Sequence, residues 1–231
     1  MDLSTFEQII GFKFKNRDLL KRAFLHRSYL NEHKEVNLDH NERLEFLGDA
    51  VLELAVTDWL YHHYPDKQEG DLTAYRAALV NTNALAEAAV GLDLNGHLLL
   101  SRGEARDTGR ARQYILADTF EAVVGAIYLD QGNEAAQTFI AKTIFAQAAE
   151  TIRKNLSEDY KSRFQRQAQE VTGITPVYQL VSAEGPDHDK NFTVELLLGE
   201  EKISRGEGQS KQEAEQGAAK AGLAKKHWLV E

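Results

Sequence analysis

Asn41-Glu42-Arg43-Leu44-Glu45-Phe46-Leu47-Gly48-Asp49-Ala50, continued by Val51-Leu52-Glu53-Leu54-Ala55-Val56, decides how most of this chain is read. Its apolar residues recur with helical period. At about 100° per residue, Glu42, Glu45 and Asp49 (i, i+3, i+7) fall within roughly 60° of one another. Like charges so spaced cost about 0.2–0.5 kcal/mol per pair, while Leu44, Leu47, Val51 and Leu52 beside them call for a core. A helix carrying that cost implies a compensating partner, and a divalent cation is the obvious one.

Working outward, the helix extends to about Tyr61, and His62-His63-Tyr64-Pro65 ends it. Upstream, residues 6–10 and 16–25 are apolar-periodic, with Asn16 placed to cap the second. Downstream, Gly70-Asp71 introduces a helix from Leu72 to about Val80. Others are predicted from about Thr82 to Gly91, Gln113 to Asp130 and Glu134 to Lys154. With scarcely a strand signal before residue 155, residues 1–154 read as an all-α domain.

The pattern changes after Asn155. Ser157 is placed to cap a helix holding Tyr160, Phe164 and Ala168. Residues 177–181, 192–198 and 202–204 read as strands, separated by turns at Gly185-Pro186-Asp187-His188 and Gly199-Glu200-Glu201. Ser210, with Glu213 three residues on, opens a last helix. Residues 155–231 are therefore a short linker and a small α+β domain of order α-β-β-β-α.

Composition sets bounds on function. The chain has 231 residues and no cysteine, so thiolate metal sites, disulfides and cysteine nucleophiles are excluded, and a reducing cytoplasm is the expected location. No apolar run approaches the ~20 residues that span a bilayer, and the first residues lack a secretory signal; no membrane partner is expected. Net charge is -9, shared as -6 over residues 1–157 (17 basic, 23 acidic) and -3 over 158–231 (10 basic, 13 acidic). That balance runs against a nucleic-acid partner unless positive charge is concentrated locally.

A second acidic helix matches the first. In Leu116-Ala117-Asp118-Thr119-Phe120-Glu121, the two acids are again i and i+3, amid Leu116, Phe120, Val124 and Ile127. Two helices each offering carboxylates toward a shared interior make an all-oxygen ligand set suited to Mg²⁺, with Mn²⁺ a substitute. Such a cation activates water near neutral pH and assists phosphoryl displacement. Spacing alone leaves two readings open, a cation site or solvated helix faces.

The segment NERLEFLGDAVL (Asn41–Leu52) resembles the signature of bacterial ribonuclease III, the double-stranded-RNA endonuclease. His26-Arg27-Ser28-Tyr29, Glu69-Gly70-Asp71-Leu72 and the run from Leu116 to Asp130 extend the likeness, and the α-β-β-β-α unit resembles a double-stranded-RNA-binding domain. The resemblance implies an all-α endonuclease domain followed by that α+β unit. It implies metal binding by Glu45, Asp49, Asp118 and Glu121, with Asp49 and Glu121 most directly catalytic. Glu42 and Glu69 match acidic positions that handle substrate, and Phe46 matches a residue that packs into the partner subunit of a homodimer. The implied reaction is hydrolysis of a phosphodiester in each strand of rRNA precursors and structured mRNAs. Its products carry 5′-phosphate and 3′-hydroxyl ends with short 3′ overhangs.

In the second domain the resemblance implies RNA contacts by Ser162, Gln165, Gln169, His188, Ser210 and Lys211. Backbone N–H groups at the start of the last helix, with Lys211, make a phosphate site, and the glutamines suit 2′-hydroxyls. Lys211 is followed by Gln212, with Glu215 beyond, where many relatives carry further lysines; Thr108-Gly109-Arg110 stands where Gly-Gly-Arg is common. Fewer phosphate contacts predict weaker, less salt-dependent binding. The rival readings are a module that grips RNA without cutting and a purely structural helical scaffold. The first gives no reason to keep six acids in place, and the second leaves the α-β-β-β-α unit unexplained.

Overall fold

The computed structural model describes residues 3–158, 160–185 and 190–228, of which 154–158 by backbone alone. The chain divides into two compact units, Met1–Ile152 and Arg153–Glu231.

The first unit is helical: α1 (Leu3–Ile10), α2 (Arg17–Ala23), α3 (Arg27–Glu32), α4 (Glu42–His63), α5 (Glu69–Val80), α6 (Thr82–Gly91), α7 (Leu94–His97), α8 (Arg110–Gln131), α9 (Asn133–Thr143) and α10 (Ala148–Glu158), the last running on past Ile152. Local chemistry sets their starts. The Asn16 side chain accepts from the Asp18 N–H at 3.0 Å, capping α2, and Asn81 accepts from the Ala84 N–H at 2.9 Å, capping α6. The core gathers on α4 and α8. Helices α4 and α8 pack on each other, and Leu44, Leu52, Val56 and Leu60 of α4 and Leu116, Phe120, Val123, Val124 and Ile127 of α8 are all buried. Phe120 adds a tilted ring contact with Phe139 of α9 at 5.5 Å.

The two long helices touch backbone to backbone. A Cβ on Gly48 would run into the carbonyl oxygen of Glu121, and one on Gly125 into the carbonyl oxygen of Leu44. Glycine inside a helix costs about 1 kcal/mol relative to alanine. Here the missing methyl groups are what allow the two axes to approach.

Two expectations are corrected here. The helix predicted from Glu134 to Lys154 is broken at a 3-10 turn, Phe145–Gln147, between α9 and α10. Its residues serve tertiary contacts: Phe145 stacks on Trp59 of α4 at 4.6 Å, and Ile144 is buried. Ser157 lies inside α10 and not at the head of the next helix, which begins at Tyr160.

The second unit contains α11 (Tyr160–Thr172), β1 (Val177–Glu184), β2 (Asn191–Leu198), β3 (Glu201–Gly208) and α12 (Lys211–Lys225). The sheet is antiparallel in order β1-β2-β3. β1 and β3 outrun the apolar stretches read as strands, because their far ends are held by pairing and not by burial: Glu184 pairs with Asn191 and Gly208 with Phe192. Phe164 and Ala168 of α11, Leu196, Leu198 and Ile203 of the sheet, and Ala218, Ala219 and Leu223 of α12 form one core. Ser210 caps α12 by accepting from the Glu213 N–H at 3.1 Å. Glu213 completes the exchange one residue earlier than a standard capping box, accepting from the Gln209 N–H at 2.9 Å.

Candidate active site

The glycine crossing determines what the acids do. Gly48 sits between Glu45 and Asp49 in sequence and lies against the peptide of Glu121, so the carboxylates of α4 and α8 face each other across a short gap. One carboxylate oxygen each from Glu45, Asp118 and Glu121 lies within 4.8 Å of the others. All three side chains are half-buried. No basic residue pairs with them in a described contact.

Burial and mutual repulsion disfavour their charged forms. Burial, then Asp118, Glu42 and Asp49, push the Glu45 carboxyl up to about 7. Burial, then Asp49, Asp118, Glu45 and Glu53, push Glu121 up to about 8. Asp118 is raised by burial and by Glu42. The arrangement is a set of hard oxygen donors lacking a positive charge, which is the chemistry of a Mg²⁺ or Mn²⁺ site.

Asp49 is not one of the three converging carboxylates. It is exposed one turn beyond Glu45, near enough for its charge to raise both Glu45 and Glu121. Glu42 is exposed, with Arg27 Nη1 at 3.4 Å and His40 Nδ1 at 3.7 Å. Glu69 stands exposed in the first turn of α5, beside a cleft of about 450 Å³ that Thr57, Tyr61, Lys67 and Arg76 also line. Phe46 is 81 % exposed, so it is no core residue of the isolated chain. The glycines are the positions that the sequence reading passed over. Their signal was present: a glycine inside an otherwise strong helical pattern marks a close backbone approach.

In the second unit Ser162, Gln165 and Gln169 are exposed on α11 at i, i+3 and i+7, so they share a face. Ser210 and Lys211 are exposed at the start of α12. His188 lies outside the described residues. Glu215 behaves differently from a free acid among phosphate contacts. Its side chain is only 13 % exposed and accepts from Lys161 Nζ at 2.5 Å, while that ammonium also lies 5.0 Å from the centre of the Tyr178 ring.

Comparison with known proteins places both units. Residues 16–148 match the family model described as Ribonuclease-III-like, and residues 160–226 match the double-stranded RNA binding motif. Ribonuclease 3 of Roseiflexus sp. (strain RS-1) is 45% identical over 216 residues, covering 93% of this chain and 91% of its own. Ribonuclease 3 of Listeria monocytogenes is 40% identical over 224 residues, covering 95% of each. Among solved structures, the nuclease domain of ribonuclease III from Campylobacter jejuni is similar with a TM-score of 0.55 and 38% identity, covering 68% of this chain and 99% of its own; it is described for flexibility in a region involved in dimer formation. A carboxylate cluster built by two helices that match a nuclease family, ahead of a motif that binds duplex RNA, has one consistent meaning: this chain belongs to the ribonuclease III family of double-stranded-RNA endoribonucleases.

Proposed function

We propose that this protein hydrolyses one phosphodiester in each strand of double-stranded RNA, as a homodimer, with Mg²⁺ held by Glu45, Asp118 and Glu121. The observation that carries the proposal is the convergence of those three carboxylates within 4.8 Å, with two of them pushed to about 7 and about 8 by burial and by the neighbouring acids. A cation bound there supplies the charge that activates water and offsets the phosphodiester oxygens. Mn²⁺ fits the same donors.

The chain's own residues do the rest. Asp49, exposed at the edge of the cluster, orients the attacking water, and Glu121 takes part in the same step from the α8 side. The water oxygen bonds to phosphorus and gives up a proton, the bond from phosphorus to the 3′-oxygen breaks, and that oxygen takes up a proton to leave as the 3′-hydroxyl. Products therefore carry 5′-phosphate and 3′-hydroxyl ends. Two such centres on opposite strands leave short 3′ overhangs. Glu42 and Glu69 handle substrate at the margin. An aromatic ring 81 % exposed beside acidic residues supports Phe46 as the dimer contact.

In the second unit, Ser210 and Lys211 take a phosphate at the α12 start, and Ser162, Gln165 and Gln169 face 2′-hydroxyls. rRNA precursors and structured mRNAs in the cytoplasm are the proposed substrates. The test is a long RNA duplex incubated with the protein in Mg²⁺ or in EDTA, with the product ends identified. Cutting confined to Mg²⁺, with 5′-phosphate ends, is expected. Undiminished cutting in EDTA, or 3′-phosphate products, would refute the mechanism.

A further inference from the structure

From Ile115 to Ile127, every residue of α8 is buried except Asp118 and Glu121. Toward the start of the helix the exposed stripe continues with Tyr114, 52 % exposed, and then Arg110. At about 100° per residue, Arg110, Tyr114, Asp118 and Glu121 lie within roughly 80° of one another, and Tyr114 stands one turn, about 6 Å, from Asp118. Among the described residues nothing holds the Tyr114 hydroxyl or stacks on its ring. A single exposed aromatic is ordinary on a protein surface; its place on the stripe of α8 that carries the carboxylates is what matters.

We infer that Tyr114 is a substrate-positioning residue, its phenol hydrogen-bonding the ribose 2′-hydroxyl of a nucleotide one or two steps from the scissile bond. This rests on the carboxylate cluster being the cutting site. About 6 Å along the helix corresponds to one or two nucleotide steps of about 3 Å rise each. A 2′-hydroxyl both donates and accepts. The phenol does so too, whereas ionised carboxylates only accept and Arg110 only donates. Tyr114 is thus the group on this stripe matched to ribose, and the contact discriminates RNA from DNA beside the cut.

The experiment measures kcat and KM for wild type and Tyr114→Phe on duplexes carrying single 2′-deoxy nucleotides, scanned across the positions flanking the cut. With wild type, one deoxy position should lower kcat/KM by about fivefold, the scale of one hydrogen bond. Tyr114→Phe should show that loss on the all-ribose duplex and be indifferent to the same deoxy position. If the variant cuts the all-ribose duplex like wild type, or stays as sensitive to every deoxy position, the role of Tyr114 is overturned while the cutting site stands. If wild type itself fails to cut the all-ribose duplex in Mg²⁺, both fall together.

Discussion

Glu121 and Glu45 show at single-residue scale what it means to half-bury a cluster of acids in a folded chain. Their carboxyls are raised to about 8 and about 7, burial contributing most. A group whose folded value is raised binds its proton more tightly in the folded state. Its stabilising effect is complete below the ordinary glutamate range and is lost as pH rises through the folded value. The metal-free protein should therefore melt at progressively lower temperature from about pH 5 to about pH 8. Glu121→Gln should flatten that slope and melt above wild type at the alkaline end. Added Mg²⁺ should raise the wild-type melting temperature more at about pH 8 than at about pH 6, because binding requires the deprotonated acids. Melting curves in EDTA and in Mg²⁺ across this window check all three. A wild-type profile that is flat with pH and identical to that of Glu121→Gln would contradict the assignment.

At the scale of elements, the decisive feature is the crossing of α4 and α8. Gly48→Ala replaces glycine with a better helix former, worth about 1 kcal/mol in an isolated helix. In this protein the added methyl meets the Glu121 carbonyl, so the helices must separate. Overpacking of this kind costs about 1–3 kcal/mol, and the net change should be destabilising. Cation-dependent cutting should fall further than stability does, since the same shift parts Glu45 from Glu121. Unchanged cutting by a well-folded Gly48→Ala protein would mean that the crossing does not set the site.

Much of this scale was legible in the sequence. Long amphipathic helices such as α4 and α8, with caps or breakers at their ends, declare themselves by period alone. The break at Phe145 did not, because it is made by stacking on Trp59, some eighty positions earlier in the chain. The acids of the cluster were readable as pairs at i, i+3. That Asp49 stays outside the closest three while Glu45 joins them depends on where α8 lies, which no local pattern encodes. Likewise Glu215 reads as an acid spoiling a basic helix start, until the structure shows its carboxylate engaged by Lys161.

At the scale of the whole molecule, a net charge of -9 coexists with duplex-RNA binding. Part of the answer is that acids of the second unit are already neutralised by cationic partners. Lys202 and Arg205 grip the nearly buried Glu195 at 2.8 and 3.0 Å, and Lys226 holds Glu201 at 2.8 Å. Among the described residues, no helix is long and apolar enough to cross a membrane. Assembly is the other property of this scale. Phe46, Leu54 and Tyr61 are all exposed on α4 and fall within about 80° of one another, forming an apolar stripe. Sedimentation of Phe46→Ala at low concentration should show a shift from dimer toward monomer; an unchanged profile would remove Phe46 from the interface.

The central claim, that the carboxylates cut and the rest of the chain holds the duplex, is tested most directly by Glu121→Ala. Cleavage and gel-shift of one long RNA duplex are measured side by side with wild type in Mg²⁺. The account predicts that the variant shifts the duplex as wild type does while cutting it at least a hundredfold more slowly, about 2.7 kcal/mol at the transition state. Wild-type cutting rates in the Glu121→Ala protein would contradict it.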